Sequence, residues 1–312
     1  MRGDRREGIQ LREAGFGEPI LVLGCSTPDA VDEIVRFDLA GAVCDLAYAR
    51  ALSAAAVEQN KVAEVHIKVD TGMGRIGVMP DDALRFTKIV RMLPGLRVEG
   101  VYTHFPSADE PDRSFTILQI AAFTKVLSEF KSHSINVPMA HAAISAAVMA
   151  FPESCFNAVR PGIMIYGGCP LSEMPNGLSI RQAMTLKTRI VFLKDANIGA
   201  TIGYGRTHSI KRPAKIATLP IGYADGYQRA LSNCGEAAVR GVRVPVVGRV
   251  CMDQITIDVT EADGVQLGDE VILMGGGYDY LRADNIAARA GTISDETFCV
   301  ISGRVPRVYI NE

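Results

Sequence analysis

Short apolar runs alternate with helical patterns through the first half of the chain. Residues 20–24 (ILVLG) are apolar without interruption. The stretch that follows, TPDAVDEIVRFDL, has helical spacing, with Thr27 as a candidate N-cap. The same alternation recurs. AGAVCD (40–45) precedes a helical pattern over 46–59, and VHIKVD (65–70) precedes one that starts at Pro80. VEGVYTH (98–104) precedes one over 115–133, MAHAA (139–143) precedes one over 145–151, and 157–167 holds a sixth run. Strands apolar on both faces and separated by helices predict a parallel sheet with crossover helices, as in a barrel or a doubly wound fold.

The texture changes at 168–182, where two prolines and two glycines read as a linker. Beyond it, β-type runs at 184–193, 215–226, 244–259, 269–275 and 299–310 are separated by turns, and only 281–290 reads as helical. The predicted organisation is an α/β unit over 1–179 followed by an antiparallel β domain over 180–312.

Composition narrows the function classes. The 312 residues suffice for a large core or two domains. Hydrophobic residues make up 48% and charged ones 22%, an ordinary globular balance. A net charge of −2 gives no electrostatic footprint for nucleic acid. No apolar run is long enough to cross a bilayer, so no membrane partner is expected. Seven cysteines, an odd number without a C-x-x-C, read as reduced thiols of a cytoplasmic protein. The five histidines are dispersed, so no metal site is expected.

The segment KVDTGMGRIG (68–77) contains the spacing G-x-G-x-x-G. A dinucleotide fingerprint opens a helix directly and has an acidic residue about 20 positions on. Here the helical pattern starts only at Pro80–Asp81, and the later position lies inside it, which argues against a nucleotide. Two readings remain. The glycines make a turn with positive φ, or Lys68, Asp70 and Arg75 belong to a site at the C-terminal end of a parallel strand. Arg75 offers a planar fork for a carboxylate or a phenolate.

Other candidates lie at similar places. His104 and His141 fall at strand ends, as structural histidines or as members of one pocket. Ser145 begins a helix, as an N-cap or as part of an anion site. Arg160 precedes Pro161-Gly162, whose turn leaves the Gly162 and Ile163 amides for a phosphate. Tyr223, in PIGYADGY, is a core tyrosine or an acid/base.

These segments together resemble the alanine racemases, the pyridoxal-phosphate enzymes of fold type III. The resemblance is carried by VHIKVDTGMGRIGV, THFPSADEPD, HAAISAAV, VRPGIMIYG, GATIGYGRTH, LPIGYADGY, VGRVCMDQITIDVT and GRVPRVY, in that order over about residues 8–309. It implies a (β/α)8 TIM-type barrel followed by a β domain. Only about six barrel strands are counted here, so the first two are expected to be missing and the barrel incomplete. Six parallel strands would leave two sheet edges open, which predicts a chain marginal on its own.

The resemblance also implies function. The expected activity is interconversion of L-alanine and D-alanine, supplying D-alanine for peptidoglycan. The expected assembly is a homodimer, each site shared between one barrel and the partner's β domain. Arg160 is expected to face the pyridine nitrogen of pyridoxal 5'-phosphate, His104 to lie at its ring, and Ser145, Gly162 and Ile163 to cradle its phosphate. His141 joins an Arg–His hydrogen-bond network. Arg75 and the Met252 backbone amide are expected at the substrate carboxylate, with Lys68, Arg249 and Asp253 in support. Tyr223 is expected to be one of two bases.

The other base in the family is the lysine that also binds the cofactor, in a pattern like V-x-K-A-x-A-Y-G-H-G, which does not occur in this sequence. Ile144 stands where the family usually has Asn, and Gly303 where some members place a phosphate-binding Tyr. An inactive remnant, a cofactor-binding module and a racemase of another amino acid such as serine are the alternatives.

Overall fold

The computed structural model describes residues 4–171 and 177–310, so residues 172–176 of the expected linker lie outside the described residues. The chain forms two compact units, Met1–Gly162 and Ile163–Glu312.

The first unit is built on one six-stranded sheet. Its strands are β1 (Ile20–Val22), β2 (Leu39–Val43), β3 (Ala63–Lys68), β4 (Leu96–Tyr102), β5 (Met139–Ile144) and β6 (Ala158–Arg160), paired in sequence order. Every pairing is parallel. Each strand falls within or overlaps one of the six apolar runs, and together they form the expected partial barrel. The helices are α1 (Arg5–Glu13), α2 (Val31–Arg36), α3 (Leu46–Glu58), α4 (Pro80–Arg91), α5 (Ser114–Ser132) and α6 (Ser145–Ala150).

Burial explains the uninterrupted apolar runs. All five residues of β2 are buried, and so are all but one of β3. Ile34, Leu52, Phe123 and Phe130 come from the helices to pack with Val43, Ile67 and Val101, all 2% exposed or less. Strands covered on both faces lose polar alternation, whereas β4, β5 and β6 keep exposed or half-buried positions. Two helix starts differ from expectation. Thr27 precedes a 3-10 turn and makes no side-chain cap bond. Ser145 is not an N-cap: Ile144 occupies that position, and Ser145 is the first helical residue.

The second unit is mainly antiparallel. Its strands are β7 (Leu186–Arg189), β8 (Phe192–Ala196), β9 (Thr201–Ile202), β10 (His208–Ser209), β11 (Ala214–Leu219), β12 (Glu236–Val239), β13 (Val242–Pro245), β14 (Ile255–Asp258) and β15 (Glu270–Met274). They form sheets ordered β14-β11-β8 and β13-β12-β15-β7, and a β10-β9 pair. Leu219, Ala237, Val244, Ile257 and Val271 share the main core.

Two expectations fail in this unit. Besides α7 (Ala283–Ala290) there is a second helix, α8 (Ser294–Cys299), within a stretch without helical signal. The run 299–310 is not a strand: after α8 it continues as turns and loop. Only Ile301 of its apolar residues is buried, while Val308, Tyr309 and Ile310 are exposed. The run pairs with none of the sheets of this unit, so its β propensity is not used.

Candidate active site

Four of the expected residues, Lys68, His104, His141 and Arg160, with one that was not foreseen, converge around the C-terminal halves of β3 to β6. His141 lies inside β5 rather than at its end, because the strand continues to Ile144. Arg160, the last residue of β6, is 5% exposed. One terminal nitrogen, Nη1, lies 2.5 Å from His141 Nδ1. The other donates to the carbonyls of Thr103 (2.6 Å) and Ala142 (2.8 Å) and lies 3.5 Å from His104 Nδ1. Burial lowers the Arg160 guanidinium to about 10, which leaves it a cation at neutral pH.

The histidine that sequence reasoning missed is His66. It is 4% exposed on β3, and its Nδ1 lies 2.8 Å from His141 Nε2. The proton positions follow from the donors. A guanidinium only donates, so His141 Nδ1 accepts and its proton sits on Nε2. That proton points to His66 Nδ1, which leaves the His66 proton on its own Nε2. Burial, then the Arg160 charge, lowers His66 to about 4, His104 to about 3 and His141 to about 2. All three are neutral at neutral pH, as this chain of donors requires.

Glycine makes the arrangement possible. A Cβ on Gly100 of β4 would lie 2.0 Å from His66 Nδ1. The β3–β4 register shifts between Val65 and His66, an irregularity that re-aims the histidine. Tyr102 closes the cluster: its ring stacks on His141 with centroids 4.9 Å apart and planes 2° apart. Its hydroxyl donates to the Leu23 carbonyl at 2.8 Å. Both Arg160 and Lys68 hold their charge 5.3 Å from its ring centre.

Lys68 ends β3 and is 1% exposed, with Nζ donating to its neighbour's carbonyl, Val69, at 2.9 Å. Burial lowers its ammonium to about 8, against the opposing pull of Asp70. Asp70 opens the glycine loop and accepts from the Gly72 and Gly74 amides. Burial raises its pKa, but those amides outweigh burial and hold the carboxyl below its ordinary value. Gly72 and Gly77 have φ of +139° and +134°, and a Cβ on Gly77 would lie 2.6 Å from the Asp70 amide. The loop is therefore a tight turn wrapped on a carboxylate, with Arg75 exposed on it. Its glycines serve geometry, and no helix opens at the loop to meet a pyrophosphate.

At α6, the Ser145 hydroxyl accepts from the Gly162 amide at 2.8 Å. The Gly162 N–H is therefore engaged within the chain, and an anion there would compete with Ser145 for it. Ile163 opens the short 3-10 turn that begins the second unit.

In the second unit, Tyr223 and Met252 lie on two loops hydrogen-bonded to each other. The Tyr223 amide donates to the Cys251 carbonyl, and the Ala224 amide to the Met252 carbonyl, both at 3.0 Å. Gly222 permits this approach, since a Cβ there would sit 2.3 Å from both carbonyl oxygens. Tyr223 is 43% exposed and Met252 53%. Arg304, given no role from the sequence, braces the pair. Its Nε lies 3.3 Å from Asp225 Oδ1, and its Nη2 donates to Asp253 at 2.7 Å. Asp225 in turn accepts from the Gly222 amide at 2.9 Å. Arg249 is exposed, with its guanidinium beside Gly205.

One atom of the first unit tests the fit of a cofactor. Arg160 Nε is buried and, among the described residues, has no acceptor. A buried unpaired donor is costly unless a ligand supplies the missing acceptor. Among acceptors a ligand could bring is an unprotonated ring nitrogen, which a pyridine provides; a protonated one could not accept from a guanidinium N–H. Among the described residues no cluster of three or more His, Cys, Asp or Glu suited to a metal occurs. None of the helices among those residues is long and apolar enough to cross a membrane.

Comparison with known proteins bears on the family and the fold. The family model "Alanine racemase, N-terminal domain" matches residues 4–170, and "Alanine racemase, C-terminal domain" matches 183–309. The alanine racemase of Halothermothrix orenii is 48% identical over 307 residues, covering 98% of this chain and 81% of that protein. A solved alanine racemase from Clostridium difficile superposes with a TM-score of 0.93 at 35% identity, over 99% of this chain and 80% of the other. One from Bacillus anthracis, determined with L-Ala-P bound, gives 0.88 at 38% identity, over 98% and 79%.

Proposed function

The chain belongs to the alanine racemase family, amino-acid racemases that depend on pyridoxal phosphate, and from this premise we propose how its own residues serve the interconversion of L-alanine and D-alanine. The reaction yields the D-alanine that peptidoglycan requires. The relatives, matched over 97–98% of this chain and 80–81% of their own length, do not favour an inactive remnant or a different amino acid as substrate.

The observation that carries the reading is Arg160 Nε, a buried donor aimed at no protein acceptor. Pyridoxal phosphate, when bound, supplies an electron sink that acidifies the Cα–H of the amino acid. Arg160 would hold its ring nitrogen unprotonated, because two donors cannot share one hydrogen bond. The cation stays in place because His141, Thr103 and Ala142 fix the guanidinium from its other side. Neutral His66 and His141 add no second positive charge beside it. His104 would lie against the ring, and Ser145, Gly162 and Ile163 would hold the phosphate.

Arg75 and the Met252 amide would bind the substrate carboxylate, a charge-assisted pairing that orients Cα. Lys68, Arg249 and Asp253 would serve in support of these groups. Tyr223 would remove or deliver the proton on one face of Cα. The division of labour is cofactor binding by 1–179 and supply of the tyrosine by 180–312.

The assembly proposed is a homodimer in which the partner's β unit brings its tyrosine to the cofactor site. The exposure of Tyr223 and Met252 supports this, since a proton-transfer group must reach a substrate lying outside its own unit's core. The test pairs a variant of each unit. Tyr223→Phe is expected to lower D-alanine formation about 10²-fold or more, the usual scale of acid–base catalysis. Mixing it with Arg75→Ala, so that hybrid dimers form, is expected to restore activity that neither variant has alone. Turnover indifferent to Tyr223→Phe removes the tyrosine from its role, and absence of recovery on mixing removes the shared site.

A further inference from the structure

Cys25 and Cys44 stand outside the machinery described so far, just beyond the C-terminal ends of β1 and β2. The register of those strands pairs Ile20 with Leu39, Leu21 with Ala40 and Val22 with Gly41. Continuing that offset by three residues sets Cys25 opposite Cys44. Their Sγ atoms lie 3.3 Å apart. Neighbouring strands are about 4.8 Å apart, within the Cα separation of roughly 4.4–6.8 Å that a disulfide spans. The backbone is therefore already placed for a bond between the two sulfurs. Cys25 is exposed, and Cys44 is partly buried beneath it.

The surroundings divide the two roles. The two thiols are in hydrogen-bond contact; with Cys44 as donor the bond favours the Cys25 thiolate, lowering Cys25 to about 7, and the nearby Lys68 charge acts in the same direction. The same bond, together with burial, pushes Cys44 well above the ordinary thiol range. Asp45 opposes ionisation of both, and the Gly77 amide bonds to the Cys44 sulfur from the glycine loop. The exposed thiol is the one that ionises, and the inner thiol waits within bonding reach.

We propose that Cys25 and Cys44 form a modification site, a dithiol that low-molecular-weight disulfides of the glutathione class convert to an intramolecular disulfide. The Cys25 thiolate attacks one sulfur of the small disulfide, whose S–S bond breaks. One small thiolate departs and takes a proton from solvent. The Cys44 thiol then loses its proton and attacks the Cys25 sulfur of the mixed disulfide, releasing the second small thiol. The two cysteines are oxidised and one small disulfide is reduced to two thiols. The sulfurs move together by roughly 1.2 Å, to about 2.05 Å. The Gly77 amide that bonds to the Cys44 sulfur belongs to the loop that carries Arg75.

The test treats the whole protein with oxidised glutathione at neutral pH, then quenches, alkylates and maps its peptides. The expected product is a cross-linked pair of peptides containing Cys25 and Cys44, with two hydrogens lost and no glutathione retained. The exposed Cys234 and Cys299 are expected to carry only glutathione or the alkylating reagent. Phenylarsine oxide, which needs two adjacent thiols, is expected to protect both cysteines from alkylation together. In Cys44→Ser, glutathione is expected to stay on Cys25, and the rate of its capture at neutral pH to fall several-fold. Glutathione stable on Cys25 of the unaltered protein, a cross-link to any other cysteine, or independent alkylation of the two thiols under phenylarsine oxide would overturn the proposal. These readouts on the unaltered chain hold whether or not Cys44→Ser folds, and none depends on racemase activity.

Discussion

Gly100 and His66 face each other across β3 and β4 so closely that a Cβ on the glycine would lie 2.0 Å from the imidazole Nδ1. That nitrogen is the acceptor for His141 Nε2. The space left by a missing methyl group therefore decides whether the histidine chain behind Arg160 can exist.

Gly100→Ala is expected to destabilise the protein by about 1–3 kcal/mol, the scale of overpacking in a tight core. It should also weaken pyridoxal-phosphate retention by displacing His66. His66→Ala in the same chain makes room for the new methyl and is expected to recover much of the melting temperature but not the cofactor affinity. Thermal melts together with cofactor titration check both parts. A Gly100→Ala protein that melts like the parent would show that the strands can part without loss.

Acid is expected to unfold the first unit early. His66, His104 and His141 are held neutral, at about 4, 3 and 2, while the unfolded chain protonates each near 6.5. Below pH 6.5 the unfolded state therefore binds more protons than the folded one, and stability falls as pH falls toward 4. Asp70, lowered by its amides, adds to the loss as pH falls through its own range. Denaturant melts at pH 7.5 and pH 5 should show the loss, and His66→Asn should reduce the difference. A midpoint unchanged between the two pH values would contradict the buried neutral cluster.

Arg160→Lys is not a conservative change at this position. A single ammonium cannot donate at once to His141, Thr103 and Ala142 and still present a further N–H outward. The expected result is a loss of stability on the scale of about 1–3 kcal/mol per acceptor left unpaired. The absorption band of bound pyridoxal phosphate should shift as well. Spectra identical to those of the parent would mean that the guanidinium does not meet the ring nitrogen.

Arg304→Ala tests the bracing of the Tyr223 loop. Its contacts to Asp225 and Asp253 involve a side chain that is 55% exposed, so solvent screening leaves them little weight in stability. Turnover is expected to fall several-fold with little change in melting temperature, because the loop is held less firmly at Gly222. Arg304→Lys should restore part of it. Equal turnover in the alanine variant would show that the backbone bonds to Cys251 and Met252 position the tyrosine alone.

Much of the first unit was legible as one-dimensional pattern. Strands buried on both faces must be apolar throughout, so each of the six announces itself, and the helices between them follow from spacing alone. Arg160, His141 and Tyr223 were legible because a charged or titratable group interrupts an apolar run. His66 was not: within VHIKVD it reads as one more residue of a strand, and its partner lies 75 positions away. Arg304 lies within GRVPRVY, but only the fold brings Asp225 and Asp253 to it.

The C-terminal stretch went the other way. Its alternating apolar residues suit a strand, yet a strand exists only where a neighbour offers hydrogen bonds. The sequence by itself determined the parallel order of β1 to β6, the family and the chemistry-bearing residue types. Tertiary structure alone decided which carbonyls hold Arg160, which nitrogen of His141 carries the proton, and that Cys25 stands opposite Cys44. Periodicity acts over neighbouring residues along the chain, whereas hydrogen-bond partners and charge fields are set by distances in space that no local pattern encodes.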